Sequence, residues 1–450
     1  MLGSIMGPID ASIVNVILPT ISESFKVSVA LSQWVPMVYL LTISSLLLFY
    51  GRLGDIFGYK NIYLIGLGGF VIVSCLCGFS PTIYFLIGCR ALQGLFASMM
   101  MSVSFAIITS TFPPQERGKA IGINAISTSA GLAIGPSLGG FIASLFGWRF
   151  VFYVNLPIGI IAILWGLRVI PKIKGSPSRI DSKGAIIALI FLFSLLLFVN
   201  DFQNQGFNFM TSTMLVVAIV SFVLFILTEE RTSEPMLNLA LFKNVTFSLA
   251  NLSALLNFMS QYVMVFVTPF YLQRVLHYPS NKVGLIMTSF PLAVMSVASF
   301  SGYISDHIGT TLLACIGTGF CSLSLFWMSQ LSSSPKILDI VLCLALFGIG
   351  TGIFQSPNTS AAMGSVPKSH FGIASGILAT IRNVGMFLGI ATAGFVLYSF
   401  VPSTILQKAT FDGSEIIAFQ SGLKHSYIAG AILAGIAVIT SIFRSGRNSS

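Results

Sequence analysis

Charge is what this sequence has least of. Only 8% of its 450 residues are Asp, Glu, Lys or Arg, against about 25% in an ordinary soluble domain. With a mean hydropathy of +0.92, that scarcity excludes a soluble globular chain. No G-x-x-x-x-G-K-[ST] stretch occurs, so no ATP site of that kind powers the protein, and "GIGTG" (348–352) lies in an apolar run with no strand before it. The six cysteines (Cys75, Cys77, Cys89, Cys315, Cys321, Cys343) lack zinc-site spacing and read as small buried residues. None of the four histidines sits securely inside an apolar run, which leaves a histidine relay without support. With no Ser/His/Asp, metal or paired-carboxylate constellation, an enzyme is not expected. No cofactor and no nucleic-acid partner are expected either; the net charge of +10 reads as basic loops on one side of a membrane.

What the chain does have is long apolar runs. They lie near 2–21, 34–50, 61–79, 83–110, 119–145, 150–170, 184–200, 211–228, 246–272, 283–304, 311–331, 337–360, 373–401 and 426–443, each about the length that spans a bilayer. Fourteen transmembrane helices are therefore predicted. An even count puts both termini on one side. If that side is the cytoplasm, 14 Lys/Arg fall in inside loops and tails and 7 outside, as the positive-inside rule asks. The first run has neither a cleavage-site pattern nor a basic region before it, so a removable signal peptide is not expected.

An internal repeat follows. "GRLGDIFG" (51–58) and "GYISDHIG" (302–309) share G-x-x-x-D-x-x-G after a run. At a shift of 254, Gly94, Pro113, Gly118, Gly122, Gly131, Gly135 and Gly140 fall on Gly348, Pro367, Gly372, Gly376, Gly385, Gly389 and Gly394. The reading is an all-α membrane protein of two six-helix bundles in parallel repeat, 1–171 and 246–450. A basic loop and two inserted helices (172–245) separate them. Repeats of this kind place their substrate site near the bilayer midplane.

Three motifs carry more detail. "GRLGDIFGYKN" (51–61) reads as a charged turn between two spans, with Gly51 and Gly58 easing the reversal, Arg52 and Lys60 anchoring it inside, and Asp55 ahead of the next helix dipole. "RALQG" (90–94) sets Arg90, Gln93 and Gly94 in the fourth run. "GINAISTSAGLAIGPSLGG" (122–140) has the spacing G-x8-G-x3-G-P-x2-G-G, formed by Gly122, Gly131, Gly135, Pro136, Gly139 and Gly140. Small residues every fourth position admit a second helix closely, and Pro136 favours a kink.

Together these motifs resemble the major facilitator superfamily, and more closely its fourteen-helix drug/proton antiporters. The 51–61 stretch is similar to the superfamily's cytoplasmic signature, with Tyr59 where a basic residue is common. "RALQG" resembles its fourth-helix motif, and 122–140 its antiporter motif. "DASIVNVILP" (10–19) and "WRFVFYVNLPIG" (148–159) resemble first- and sixth-helix signatures. The resemblance implies proton-driven export of hydrophobic, cationic or neutral small molecules by alternating access, from the cell membrane, by a monomer. Export of a metabolite, amino acid, siderophore or lipid, or a non-transporting sensor, are alternatives on the same fold.

Asp10 is the most informative residue. Of thirteen acids, it alone lies deep in a run, roughly 10 Å from the inner surface at about 1.5 Å per residue. A charge at mid-membrane costs at least about 2.5–3.5 kcal/mol, which makes it a functional candidate. Arg90 is the candidate partner, although estimated depths let the two Cα atoms differ by roughly 10 Å in height. Two readings stand: a proton-coupling pair, with Asp10 carrying the proton, or a fixed structural ion pair. Arg382, with Asn383 beside it, is expected to be the other deep charge, either balancing a cavity or packing. Asn15, Gln33 and Gln261 are further cavity candidates.

Overall fold

The computed structural model describes residues 2–111, 114–171, 182–205, 207–231, 239–332, 334–367, 371–402, 405 and 413–444. The basic loop at 172–181, the side chains of Arg52 and Asp55 and the surroundings of Gly122 lie outside the described residues. Among those described there is no strand. The helices are α1 (Leu2–Ser24), α2 (Val29–Ser32), α3 (Trp34–Phe57), α4 (Tyr59–Gly78), α5 (Ile83–Thr111), α6 (Pro114–Phe146), α7 (Phe150–Tyr153), α8 (Asn155–Val169), α9 (Ser182–Gln205) and α10 (Phe209–Arg231). They continue as α11 (Val245–Phe270), α12 (Ser280–Ile308), α13 (Thr310–Ser329), α14 (Ile337–Gly364), α15 (Phe371–Phe400) and α16 (Gly413–Phe443). Helices satisfy every backbone group within the segment, which hydrocarbon requires.

Among the described residues, twelve helices are long and apolar enough to cross a membrane. Two shorter apolar segments, Ala130–Phe146 in α6 and Ile186–Val199 in α9, stand where the fifth and seventh runs were expected. Twelve spans are thus shown among the described residues, and the other two of the fourteen expected are represented there by these shorter segments.

Contacts divide the chain into two compact units, Met1–Ile17 with Trp34–Met236, and Leu18–Gln33 with Leu237–Ser450. In the first, α3 and α4 both lie along α5, and α8 lies along α4. The α9–α10 pair packs together with α9 on α3, and by contacts both helices group with the first unit. In the second, α12 and α13 lie along α14, and α11 is flanked by α15 and α16.

One expected turn is mostly helix. The 51–61 motif forms the end of α3 and the start of α4, and Gly58 alone, at φ +85°, reverses the chain. Asp55 therefore lies in the last turn of α3 rather than in a loop. The reason is that a single left-handed glycine suffices for a reversal. Gly309, at φ +90°, does the same between α12 and α13. Likewise α6 continues as helix through Pro136.

Glycine contacts fix the true register of the repeat. A Cβ on Gly131 would lie 2.9 Å from the Ile5 carbonyl, and one on Gly135 would strike Ser12 and approach the Ile9 carbonyl, so α6 rides on α1. In the second unit a Cβ on Gly385 would lie 2.9 Å from the Leu255 carbonyl and one on Gly389 would strike that of Met259, so α15 rides on α11 in the same way. Leu255 and Met259 stand 250 residues after Ile5 and Ile9, whereas the glycines are 254 apart. Similarly Gly94 abuts the Tyr39 carbonyl and Gly348 that of Phe290; Gly66 abuts Phe96 and Gly317 abuts Gly350. By this register Asp10 answers to Ser260, Tyr39 to Phe290, Ser74 to Leu325, Arg90 to Leu344 and Gln93 to Phe347.

Candidate functional site

The α6 glycines take up one face of α1, through Ile5, Ile9, Ser12 and Ile13. Ser12 turns its hydroxyl back to the Pro8 and Ile9 carbonyls of its own helix. Asp10, one residue round from Ile9, presents its carboxylate to α4, α5 and α8. It is 3% exposed.

On α5, Arg90 and Gln93 stand one turn apart and share a face. Gly94 lets the α3 backbone approach to where a Cβ would be 2.7 Å from the Tyr39 carbonyl. That approach puts the Tyr39 ring 4.2 Å from the Arg90 guanidinium carbon. It also brings the Val35 carbonyl within 3.2 Å of Arg90 Nε. Arg90 is fully buried and its NH1 donates to Asp10 Oδ2. The same NH1 donates to Gln93 Oε1 at 2.6 Å. Gln93 Nε2 then donates to Asp10 Oδ1 at 3.0 Å and to Ser74 Oγ at 2.9 Å. The hydroxyl of Ser74, on α4, donates to the Phe70 carbonyl, and the Cys77 thiol lies 3.6 Å from Gln93 Oε1.

The last member comes from α8. Pro157 has no N–H to give the carbonyl four residues earlier, and the helix is interrupted at Val154, between α7 and α8. Asn155 sits at that break. One turn on, Gly159 lets α8 close on Val71 and Met6. Asn155 Nδ2 reaches Asp10 Oδ1 at 3.1 Å and Ser74 Oγ at 3.3 Å. The result is a hydrogen-bonded network of five buried polar side chains from four helices, with a pair of opposite charges at its centre and the Tyr39 ring of α3 against Arg90.

Asp10 and Arg90, whose contact the sequence left open, are thus joined, and Gln93 bridges them. Sequence reading missed Ser74, Asn155 and Tyr39 as members; only Asn155 carried a signal, inside the 148–159 signature. The other cavity candidates are not drawn in. Asn15 Nδ2 donates back to Ala11 O at 2.7 Å, and Asn383 Nδ2 to Ala379 O at 3.0 Å, each on its own helix. Gln261 is buried with Oε1 unbonded, and Gln33 Oε1 is also unbonded, against Gly394. Arg382 makes no hydrogen bond or ion pair among the described residues; Tyr262 is its electrostatic neighbour. Among the described residues, two further cations are buried at or just past the ends of spans. Arg274, at the end of a π-helical turn (Tyr271–Val275), is buried and donates to Ser22 Oγ at 2.9 Å. Arg444, just past α16, is buried against Asn358 Oδ1 at 2.9 Å, and burial lowers its pKa, with Cys315 acting the other way.

Of the cytoplasmic motif, Lys60 Nζ donates to the Leu167 and Ile170 carbonyls at 2.8 and 2.6 Å. A cation there suits the α8 C-terminus. Gly51 lies near Ser102. Gly139 abuts Ile13, while Pro136 and Gly140 are buried in α6.

Comparison with known proteins agrees with this architecture. The family model described as Major Facilitator Superfamily matches residues 1–390. The chain belongs to the Major Facilitator Superfamily. It is 32% identical over 447 residues to the riboflavin transporter RibZ of Clostridioides difficile, covering 98% of this chain and 95% of that one. It is 34% identical over 418 residues to the multidrug resistance protein Stp of Mycobacterium tuberculosis (91% and 78% covered). With the multidrug efflux pump LfrA of Mycolicibacterium smegmatis identity is 29% over 477 residues (97% and 93%). A crystal structure of a bacterial homolog to the human lysosomal transporter Spinster superposes with TM-score 0.70 at 16% identity, covering 99% and 95%; at that identity the likeness is one of fold. This superfamily member is a multi-pass membrane transporter and not an enzyme.

Proposed function

We propose that this transporter is a proton-coupled antiporter that exports hydrophobic, cationic or neutral small molecules by alternating access. The observation that carries the reading is the buried Asp10–Arg90 pair inside membrane-spanning helices. Such a pair is costly to bury and weak evidence for stability. A proton taken up by Asp10 would cancel its attraction for Arg90, and the two protonation states would then favour different helix arrangements. Similarity to Stp and LfrA supports drugs as cargo. The energy source is the proton gradient, with no cofactor. The chain acts as a monomer in the cell membrane, with fourteen spans if the α6 and α9 segments cross and with both termini cytoplasmic. The 51–61 motif gates the inner side, and the candidate substrate-path residues are Asn15 in the first unit and Gln33, Gln261, Arg382 and Asn383 in the second.

A second reading keeps the fold and changes the cargo to a metabolite. It is favoured by the similarity to RibZ, which extends over 98% of this chain. Reconstituted protein in liposomes under an imposed pH gradient tests both. Gradient-driven movement of a lipophilic cationic dye, lost in folded Asp10→Asn, is the expected result; undiminished transport by that variant would remove Asp10 from coupling. Riboflavin moved in place of the dye would favour the second reading.

A further inference from the structure

The network around Asp10 is drawn for an ionised carboxylate. Oδ2 faces the guanidinium of Arg90, a group that only donates. Any proton that arrives therefore settles on Oδ1. There two amides point their nitrogens at it, Gln93 at 3.0 Å and Asn155 at 3.1 Å. A newly protonated Oδ1 faces donors on both sides and needs an acceptor.

Gln93 cannot supply one. Its Oε1 is held by Arg90 NH1 at 2.6 Å and by the Cys77 thiol, and turning that amide over would set its NH2 against the guanidinium. Ser74 already accepts from both amides and donates to Phe70. Asn155 is different. Its residue is 2% exposed, and its Oδ1 is buried without a hydrogen-bond partner. A buried acceptor left unpaired next to a titratable group calls for an explanation. The titratable and charged groups around the carboxylate are Arg90 and Cys89 on α5, Cys77 on α4 and Tyr39 on α3. None of them bonds Oδ1, and α6 meets α1 there through glycines.

We propose that Asn155 is a positioning residue that follows the protonation state of Asp10. When a proton adds to Asp10 Oδ1, the Asn155 amide turns over and its Oδ1 accepts the new O–H. One O–H bond forms from a solvent proton, Asp10 passes from charge −1 to neutral, and Asn155 and Arg90 keep their charge states. The inference rests on the reading of Asp10 as the proton site. It gives α8 a way to sense that site, at the point where Pro157 has loosened the helix.

The test is pH-difference infrared spectroscopy on purified full-length protein, with and without carbonyl-labelled asparagine. The expected result is an asparagine side-chain carbonyl band that moves to lower frequency together with the rise of an Asp10 carboxylic-acid band. Both changes vanish in Asp10→Asn. In Asn155→Gln, which keeps an amide, the moving band leaves the asparagine-labelled set while the acid band persists at a shifted pH midpoint. An Asp10 acid band with the asparagine carbonyls unmoved overturns the role of Asn155 and leaves proton binding at Asp10 intact. No acid band sensitive to Asp10→Asn at any pH at which the protein is folded overturns both.

Discussion

In the first unit Arg90 lies over the Tyr39 ring; in the second, Phe290, the counterpart of Tyr39, packs at 5.8 Å on Phe347, which stands at the place of Gln93. Around each, glycines in register bring the corresponding helices into close contact: Gly94 and Gly348, Gly131 and Gly385, Gly135 and Gly389. Yet where the first unit has Asp10, Ser74, Arg90 and Gln93, the second has Ser260, Leu325, Leu344 and Phe347, all buried. The second unit is an internal control. It shows that this arrangement of helices closes without an ion pair, and with the apolar core that is usually at least as stable. The charges of the first unit are thus an addition to a scaffold that does not need them, and retention of a costly pair points to function.

The largest expected effect breaks the comparison from one side. Arg90→Leu places the second unit's residue in the first, in a space where leucine fits, but strands Asp10. A loss of about 3–5 kcal/mol is expected from an uncompensated buried charge, measurable by denaturant unfolding in detergent. A loss below about 1 kcal/mol would mean that water or another group already serves Asp10. Gln93→Leu comes next. It removes bonds to both charges, with a loss of about 1.5–3 kcal/mol and weakened gradient-driven transport.

Two smaller changes sharpen the comparison. Gly135→Ala and Gly389→Ala both overpack, at about 1–3 kcal/mol. The second is expected to cost more, because Gly389 meets the Met259 backbone while Gly135 meets the Ser12 side chain. Thermal melts of the two variants would reverse that order if α6 sat more rigidly than α15. The smallest effect is Lys60→Met, at about 1 kcal/mol for two bonds to helix-end carbonyls. Thr311→Met, at the matching place after "GYISDHIG", should change stability by less than about 0.5 kcal/mol. Equal effects would show that the α8 carbonyls find other donors.

How far these features were legible in the sequence depends on what each needs. Apolar runs, the glycine register and a lone deep carboxylate are local, so the helical membrane fold and the candidacy of Asp10 and Arg90 as a buried pair could be read directly. Fourteen spans rested on runs that include 119–145 and 184–200, whose described apolar portions are the short segments in α6 and α9. Ser74, Tyr39 and Asn155 are ordinary residues whose roles arise only when α4, α3 and α8 converge on α5. Asn15 and Asn383 looked equally promising as polar residues in apolar runs, yet each closes a bond on its own helix. Side-chain back-bonding of this kind leaves no trace in spacing. A single shift of 254 also concealed Ser260 as the counterpart of Asp10, because the first helices are offset by 250.

The most direct measurement replaces both charges at once. Asp10→Ser/Arg90→Leu installs the second unit's residues in the first, and its unfolding and its gradient-driven transport in liposomes would be followed on one preparation. Stability at or above wild type with transport abolished is the result predicted for a pair that serves the cycle and not the fold. A stable double variant that still transports under the gradient at the wild-type rate would contradict the account.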